Sequence, residues 1–325
     1  MTGSRTIAVA DVGGTHARFA QAQIAGGQVI GLGDPVTLGT SDHASFQSAW
    51  QDYVAGLDGG APDALSIAFA GPVTGEVLKL TNNPWVIRPA LAQEKLGVKD
   101  FLIVNDFAAV GYAAAQLDED CFLHLTGPAG PFPAEGVMTV VGPGTGLGVS
   151  QVLKRDGHTH VIATEGGHID FAPLDSLEDQ ILERLRRRYL RVSVERVACG
   201  SGLVNIYEAL GKIEGKPVKE LEDKALWQLA MSGKDALASA ALDRFFLTLG
   251  AVAGDLALAQ GANQVAIAGG LGYRLRDHFA RSGFADRFIA KGRFERRMEA
   301  IPVKLITHPQ AGLYGAAAAF AQRYG

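Results

Sequence analysis

The chain has 325 residues, of which 47% are hydrophobic and 20% are charged, and its formal net charge is -4. This length is typical of two domains, and the composition is that of an ordinary water-soluble globular protein. The small negative charge argues against a dedicated nucleic-acid binder. The densest basic stretch, ERLRRRYLR (183–191), lies in a helical pattern. We interpret it first as a solvated helix face, with a local anionic partner as the alternative.

The number of cysteines and the length of the apolar runs indicate the cellular compartment of the protein. The two cysteines, Cys121 and Cys199, have no metal-ligand spacing, so neither a disulfide framework nor a zinc site is predicted. The segment MTGSRTIAVADVGG has no apolar region of signal-peptide type, and the longest apolar stretches are interrupted well before membrane-spanning length. We therefore expect a cytoplasmic protein with no membrane partner.

The first third of the chain alternates strand-like runs with glycine-rich turns. Helical periodicity is present in residues 45–57, and PALAQEKLG (89–97) has Pro89 near its start and Gly97 at its end, as helices commonly do. An alanine-rich helix is predicted after Asp106. Strands are predicted at 6–11, 17–24, just after the AGGQV turn, 64–73, 76–82 and 101–106.

The second half begins in the same order. Residues 137–168 read as a strand, a Gly-Thr turn and two further strands, as residues 6–30 do, which indicates a weak internal duplication. Because strands and helices are mixed, we predict an α/β protein with partly parallel sheets. The later elements are helices near 176–190, 202–211, 221–232 and 235–260, a strand at 264–270, a helix, a strand at 303–308 and a last helix at 310–324.

The first glycine turn, ADVGGTHAR (10–18), follows a strand. Gly13 and Gly14 allow a tight turn, and Thr15 adds a hydroxyl donor, which together suit an oxyanion. Asp11 lies at the strand end, where a carboxylate could hold a hydrated divalent cation. A plain hairpin turn explains the two glycines equally well.

Two more glycine turns follow strands. GPGTGLG (142–148) has more glycines than a simple hairpin needs, and AIAGGLGYRL (266–275) opens a helix, whose start suits a phosphate or a flat base. Neither the dinucleotide fingerprint nor a GxxxxGK[ST] loop is present. Each turn alone is weak evidence, but three at strand ends in both halves suggest a nucleotide held between two domains.

Several polar residues stand beside such turns. In TEGGHIDF, Glu165 and His168 flank a glycine pair and could bind a polyhydroxylated ligand, although a histidine alone is more often structural. Glu195, in SVERVACGSG, could equally be a solvated surface residue. Asn105 and Asp106 stand where a strand meets a helix, and both residue types cap helices well.

Seven segments resemble, in order, those of bacterial glucokinases of the non-ROK type, and the resemblance covers the chain from about Thr6 to the last helix. The zinc-binding cysteine cluster of the ROK sugar kinases is absent. The segments are IAVADVGGTHARFA, LTNNPWVI, IVNDFAAVGYA, VVGPGTGLGVS, ATEGGHIDFAPL, ERVACGSGLVNIYEAL and VAIAGGLG.

The resemblance implies an actin-like ATPase (ribonuclease H-like) fold, with two α/β domains of mixed sheets around a central cleft. The smaller domain would comprise residues 1–116 and 307–325, and the larger one residues 117–306. The implied reaction is transfer of the γ-phosphate of ATP to the 6-hydroxyl of glucose, the first step of glycolysis. A homodimer is also implied.

The resemblance also implies roles for single residues. Asp106 would be the general base, and ATP would arrive with Mg²⁺, which could contact Asp11 through water; no protein metal site is expected. The sugar ligands would be Asn105, Asp106, Glu165, His168 and Glu195. The nucleotide-binding residues would be Asp11, Gly13, Gly14, Thr15, Gly144, Thr145, Gly146, Gly269 and Gly270.

Two other classes of function would require different sequence features. A sugar-sensing regulator of related fold would carry an N-terminal DNA-binding helix-turn-helix, but the first phosphate-type loop begins by residue 10. An actin-like ATPase without a small-molecule acceptor would not need Glu165, His168 and Glu195 together. An assay with ATP and a panel of sugars separates the three.

Overall fold

The structure is a computed structural model that describes residues 3–80 and 83–325. The chain folds as two compact units. Unit 1 comprises the residues up to Asp118 together with 161–163 and 308–325, and unit 2 comprises 119–160 and 164–307. The domain boundaries implied by the resemblance stay a prediction.

The strands and helices follow the alternation expected of an α/β protein. The strands are β1 (Arg5–Val12), β2 (His16–Ala25), β3 (Gln28–Leu32), β4 (Val36–Gly39), β5 (Ala64–Phe69), β6 (Leu78–Lys79), β7 (Val86–Ile87), β8 (Asp100–Asn105), β9 (Phe122–Thr126), β10 (Gly136–Pro143), β11 (Leu147–Arg155), β12 (His158–Thr164), β13 (Gln264–Ile267) and β14 (Val303–Ile306). The helices are α1 (Phe46–Ala55), α2 (Pro89–Leu96), α3 (Asp106–Gln116), α4 (Ser176–Tyr189), α5 (Gly202–Glu214), α6 (Asp223–Ser232), α7 (Ala236–Gln260), α8 (Gly269–Arg274), α9 (Arg276–Phe279), α10 (Phe284–Ile289), α11 (Glu295–Glu299) and α12 (Ala311–Tyr324).

Unit 1 is built on a mixed sheet of order β3-β2-β1-β5-β8, with β4 paired to β2. Strand β1 runs antiparallel to β2 and parallel to β5, which runs parallel to β8. Because side chains alternate along a strand, Ala8 and Ala10 face a cluster with the rings of α1, whereas Ile7 and Val9 face α12. Both faces of the sheet are therefore covered, as is usual for parallel strands.

The register of this sheet brings three strand ends side by side. Val12 of β1 is paired with Phe69 of β5, which is paired with Asn105 of β8. In open α/β sheets, ligands bind at the carboxyl ends of parallel strands. Asp11 and Asp106 are thus placed at the same edge of unit 1.

Unit 2 repeats this arrangement. Its sheet has the order β12-β11-β10-β13-β14-β9, in which β10 is antiparallel to β11 and parallel to β13, and β13 is parallel to β14. The added strand β9 pairs antiparallel with β14. The first five strands follow the order seen in unit 1, so the internal duplication predicted from the sequence is confirmed at the level of topology.

Helix α7 is the core helix of unit 2. Within residues 3–80 and 83–325 it is the one helix long and apolar enough to cross a membrane, with a mean hydropathy of 1.4 over its most apolar stretch. However, 67% of that stretch is buried, and side chains such as Phe245 and Leu249 pack into the core of unit 2. Its apolar character is therefore explained by packing.

Some predicted elements differ from the structure. Strands β4 and β9 were not predicted, and the single helix expected after Gly269 is replaced by α8 to α11, with glycines at 283 and 292 between the pieces. The predicted strand at 64–73 ends at Phe69. The one predicted at 76–82 is reduced to β6, and its last residues, Thr81 and Asn82, lie outside the described residues.

Candidate active site

Asn105, rather than Asp106, caps helix α3. The Asn105 side-chain oxygen accepts from the amides of Phe107 and Ala108, both at 3.0 Å, and its Nδ2 donates to the carbonyl of Gly71 at 3.2 Å. Asp106 is the first helical residue, and its Oδ1 accepts from Phe107 N at 2.9 Å and from Asn105 Nδ2 at 3.0 Å. The carboxylate is therefore fixed at a helix N-terminus, where the helix dipole favours negative charge.

The first glycine loop is a hairpin connection, because it joins the antiparallel strands β1 and β2. Gly13 N donates to His16 O at 3.0 Å. The carbonyl of Gly14 accepts from Thr40 Oγ1 at 2.7 Å and from Asn83 Nδ2 at 3.2 Å. These bonds come from distant parts of the chain and fix the loop in place.

The glycine at position 13 is not required by the fold. Its φ is not positive, and a Cβ there would meet only His16 O, at the ordinary distance of 3.7 Å. Close approach of another backbone or ligand is the other common reason for glycine. The geometry therefore leaves room for a ligand beside the loop.

Asp11 lies at the end of β1 in a polar but crowded position. Its Oδ2 pairs with Arg18 at 3.3 Å, and a Cβ on Gly312, in the first turn of α12, would lie 2.9 Å from the same oxygen. Burial raises the pKa of the Asp11 carboxyl, and Arg18 opposes this rise. Such a carboxylate gains from a second cation, because the buried negative charge is only partly compensated.

Asp11 has the chemistry of a single carboxylate ligand for Mg²⁺. Within residues 3–80 and 83–325 there is no group of three or more His, Cys, Asp or Glu side chains that could hold a metal ion. Mg²⁺ commonly keeps several waters and binds through one or two carboxylates together with substrate phosphates. Asp11 fits that pattern as a single carboxylate for an ion that arrives with its phosphates.

Three glycines of other segments lie in close contact with the backbone of the second glycine loop and its flanking residues, between β10 and β11. A Cβ on Gly167 would collide with Leu147 O, one on Gly269 would lie 2.6 Å from Pro143 O, and one on Gly200 would lie 3.0 Å from Gly144 O. Gly200 N also donates to Gly144 O at 2.8 Å. The three other glycine-rich segments of unit 2, at Gly167, Gly200 and Gly269, therefore support this loop, which contains Gly144, Thr145 and Gly146.

Glu195 is bonded to the same loop. Its Oε2 accepts from Leu147 N at 2.9 Å, and a Cβ on Gly146 would lie 2.5 Å from that oxygen. Glu195 itself is half-buried. The interpretation of Glu195 as a solvated surface residue is therefore wrong, because its carboxylate has a defined protein partner.

Glu165 and His168 lie on a short turn of 3₁₀ helix and are exposed. His168 Nε2 and Glu165 Oε2 are 4.0 Å apart. The chain that follows His168 pairs with the chain that precedes Glu195, since Val194 N donates to Ile169 O at 2.8 Å. Unit 2 thus ties together the two segments that carry the predicted sugar ligands.

Gly269 and Gly270 begin α8 directly after β13. Gly269 has a φ of +86°, which favours glycine, whereas a Cβ on Gly270 would meet no atom within 4 Å. The first glycine is required by the fold and the second is not. Open space at a helix start is suitable for a ligand group.

The predicted site residues thus fall into two groups. Unit 1 holds Asp11, Gly13, Gly14, Thr15, Asn105 and Asp106, and unit 2 holds Glu165, His168, Glu195, Gly144, Thr145, Gly146, Gly269 and Gly270. Sequence reasoning missed the supporting residues Thr40, Asn83, Gly200 and Gly312. Of these, Gly200 and Asn83 carried a signal, because they lie in the segments VACGSG and LTNNPWVI.

Comparison with known proteins finds similarity over nearly the whole chain. The family model described as "Glucokinase" matches residues 8–323. The chain is similar to the glucokinase of Zymomonas mobilis subsp. mobilis, with 58% identity over 318 residues that cover 98% of each chain.

Solved structures are also similar. The crystal structure of glucokinase from an Antarctic psychrotroph has a TM-score of 0.86 and 32% identity, covering 97% of this chain and 98% of that one. A ROK family glucokinase from Streptomyces griseus, in complex with glucose and AMPPNP, has a TM-score of 0.62 and 19% identity, covering 99% of this chain and all of that one. The second likeness shows the fold alone, and the predicted actin-like ATPase fold class is confirmed. The chain therefore belongs to the glucokinase family of ATP-dependent sugar kinases.

Proposed function

We propose that the chain transfers the γ-phosphoryl group of ATP to the 6-hydroxyl of glucose, with Asp106 as the general base. The products are glucose 6-phosphate and ADP. The observation that carries this proposal is the fixed position of Asp106, whose Oδ1 accepts from Phe107 N and Asn105 Nδ2 at the start of α3. A general base must be held within hydrogen-bond reach of the proton that it accepts.

The proton of the 6-hydroxyl passes to the Asp106 carboxylate as the oxygen attacks phosphorus. The O–P bond to the new phosphate forms, and the bond between the γ-phosphorus and the bridging oxygen of ADP breaks. Phosphoryl transfer proceeds through a loose transition state, so positioning and charge neutralisation dominate catalysis. Asn105 contributes to positioning because it fixes both the helix start and the Asp106 side chain.

The two glycine loops and the start of α8 are the proposed nucleotide-binding segments. Gly13, Gly14 and Thr15 in unit 1, and Gly144, Thr145 and Gly146 in unit 2, would contact phosphates. Gly269 and Gly270 would lie at the adenosine. When bound, Mg²⁺ would neutralise phosphate charge, and Asp11 is the carboxylate that would face it, directly or through water.

The proposed sugar ligands are Asn105, Asp106, Glu165, His168 and Glu195. Each can accept or donate to a hydroxyl, and several convergent polar groups are what a hexose needs. Support comes from the bridge between 168–171 and 191–194, which places His168 and Glu195 on one small structural element. Glucose as the substrate is supported by the family and by the 58% identity to the Zymomonas mobilis glucokinase.

Three further features are proposals. Membership of the non-ROK branch and a homodimer rest on the resemblance, and a cytoplasmic location rests on cysteine usage. Light scattering of the purified chain tests the dimer, and a mass that does not change from the monomer value over a tenfold concentration range would contradict it.

The central experiment is a coupled assay with Mg·ATP and a panel of hexoses. We expect turnover with glucose and none with 6-deoxyglucose, which lacks the accepting hydroxyl. Product analysis by ³¹P NMR should show a phosphate ester at the 6-position. ATP hydrolysis that does not depend on a sugar would favour an actin-like ATPase without a small-molecule acceptor. Sugar binding without turnover would favour a sugar-sensing regulator.

A further inference from the structure

Arg191 contacts the segment that carries His168. Its Nη2 donates to the carbonyl oxygen of His168 at 2.7 Å, and its Nε pairs with Asp170 Oδ1 at 2.9 Å. The two contacts flank Ile169, so the planar guanidinium holds this segment at two points. Arg191 has no role in the mechanism described above.

Backbone bonds continue the same attachment. Phe171 N donates to Val192 O at 2.9 Å, and Asp170 forms an antiparallel bridge with Ser193. The segment after His168 is thus paired with the segment that leads to Glu195. Because the pairing is antiparallel, His168 lies at the Glu195 end of this bridge and Arg191 lies at the other end, so the Arg191 side chain reaches back along the paired segment to Asp170 and His168.

The chain reaches Arg191 through a strained turn. Leu190 has φ +57° and ψ -67°, and Arg191 N donates to Tyr189 O at 2.6 Å, which closes a three-residue γ-turn of the rare hand. A positive φ is unfavourable for a residue with a bulky side chain such as leucine. The Leu190 side chain is 88% exposed, so the turn does not serve to bury it.

The turn is fixed on both sides. Before it, the Tyr189 hydroxyl donates to Asn205 Oδ1 at 3.0 Å, and the Arg196 guanidinium lies over the Tyr189 ring at 4.4 Å. After it, Arg191 is held by His168 and Asp170. Backbone strain persists only where the surroundings fix the conformation, and it often marks a functional site.

We propose that Arg191 is a positioning residue for sugar recognition. The turn at Leu190 directs the Arg191 guanidinium onto the His168 carbonyl, and this contact fixes the His168 imidazole for a sugar hydroxyl. The inference rests on the proposed function. Arg191 and Asp170 are 62% and 74% exposed, and an exposed ion pair contributes little to stability. The contact therefore matters for placement more than for folding.

The test compares Arg191→Met with Arg187→Met. Arg187 lies within α4, four residues before Arg191 in the sequence, and its side chain is similarly exposed. It pairs with Glu183 at 2.6 Å, so Arg187→Met is a control for the loss of a surface arginine. We expect Arg191→Met to raise the Kd for glucose by about two- to fivefold, as loss of one exposed contact implies. KM for ATP and Tm should stay unchanged, and Arg187→Met should match the parent chain in all three. Arg191→Lys should restore only part of the affinity, because an ammonium cannot reproduce the two-point contact.

A double variant shows whether Arg191 acts through His168. If it does, Arg191→Met should cause no further loss of glucose affinity in a His168→Gln background. Additive losses, or equal losses of glucose and ATP affinity with a lower Tm, would overturn the inference. If His168→Gln loses glucose affinity and Arg191→Met does not, the inference about Arg191 is overturned, but His168 remains a sugar ligand. If glucose affinity is unchanged in His168→Gln, the assignment of His168 as a sugar ligand is overturned as well.

Discussion

Asn105 donates from its Nδ2 to Oδ1 of Asp106 at 3.0 Å, while its own side-chain oxygen caps helix α3. Capping and proton acceptance are therefore divided between two adjacent residues. The sequence alone left both roles open for Asp106. This division makes Asp106 separable from the stability of the helix.

The first prediction concerns Asp106→Asn. The variant keeps an oxygen that can accept from Phe107 N, and Asn105 still caps the helix, so Tm and ATP binding should be retained. Removal of a general base typically lowers kcat by about 10²–10⁴-fold. Asn105→Ala is the comparison, because loss of the cap should lower stability by about 1 kcal/mol. Near-normal turnover in Asp106→Asn would show that the base lies elsewhere.

The second prediction separates two roles of Glu195. Glu195→Gln keeps an acceptor for Leu147 N and removes the charge, so glucose affinity should fall while KM for ATP stays close to that of the parent. Glu195→Ala leaves the Leu147 amide without this partner, at a cost of about 1–3 kcal/mol, so KM for ATP should rise as well. Calorimetric titration of glucose and steady-state kinetics measure the two effects. Identical behaviour of the two variants would contradict a role in holding the loop.

The sequence indicates the strand ends and glycine turns of the candidate site, but it does not indicate the contacts that support them. The strand ends and glycine turns are local features, and the order of strands in residues 137–168 could be read from residues 6–30. The bonds that fix Gly14 come from Thr40 and Asn83, which are 26 and 69 residues away, so no local pattern could indicate them. Strand β9 was missed for the same reason: it pairs with β14, about 180 residues later, and Leu123 within it is 40% exposed.

The third prediction uses two neighbouring glycines of α8. Gly269→Ala combines a φ of +86° with a Cβ 2.6 Å from Pro143 O, so it should lower the free energy of unfolding by about 1–3 kcal/mol. Gly270→Ala meets no atom within 4 Å and should leave Tm unchanged. If adenosine binds beside Gly270, that variant should raise KM for ATP alone. Unchanged ATP kinetics in Gly270→Ala would move the adenosine away from this turn.

The fourth prediction concerns the pH dependence of stability at Asp11. Burial raises the pKa of this carboxyl above its ordinary value of 3.8, so ionised Asp11 destabilises the folded state. The penalty is fully present above the folded pKa, shrinks as the pH falls through that pKa, and is absent below 3.8. Asp11→Asn should therefore raise Tm at pH 7, and this gain in Tm should shrink towards pH 4. The same substitution should lower kinase activity, because it removes the carboxylate proposed to face Mg²⁺.

Asp63 provides the control of opposite sign. Hydrogen bonds from Arg5 and Lys99 lower the pKa of the Asp63 carboxyl, so its contribution to stability is present above pH 3.8 and is lost as the pH falls through the folded pKa. Asp63→Asn should slightly lower Tm at pH 7 and leave activity unchanged. Thermal melts of both variants between pH 4 and pH 8 make the comparison. A lower Tm for Asp11→Asn at pH 7 would mean that the Arg18 pair outweighs burial.

The last prediction concerns Leu190→Gly. Glycine adopts a φ of +57° without the Cβ conflict that leucine has, and the leucine side chain is almost fully exposed, so little packing is lost. Relief of this strain should raise the free energy of unfolding by about 1 kcal/mol. Leu174→Gly, at another exposed leucine, is the control and should not stabilise the chain, because Leu174 does not have a positive φ. Urea unfolding of the three proteins gives the free energies. Destabilisation by Leu190→Gly would show that the turn is not strained in solution, and the argument that it directs Arg191 towards His168 would lose its basis.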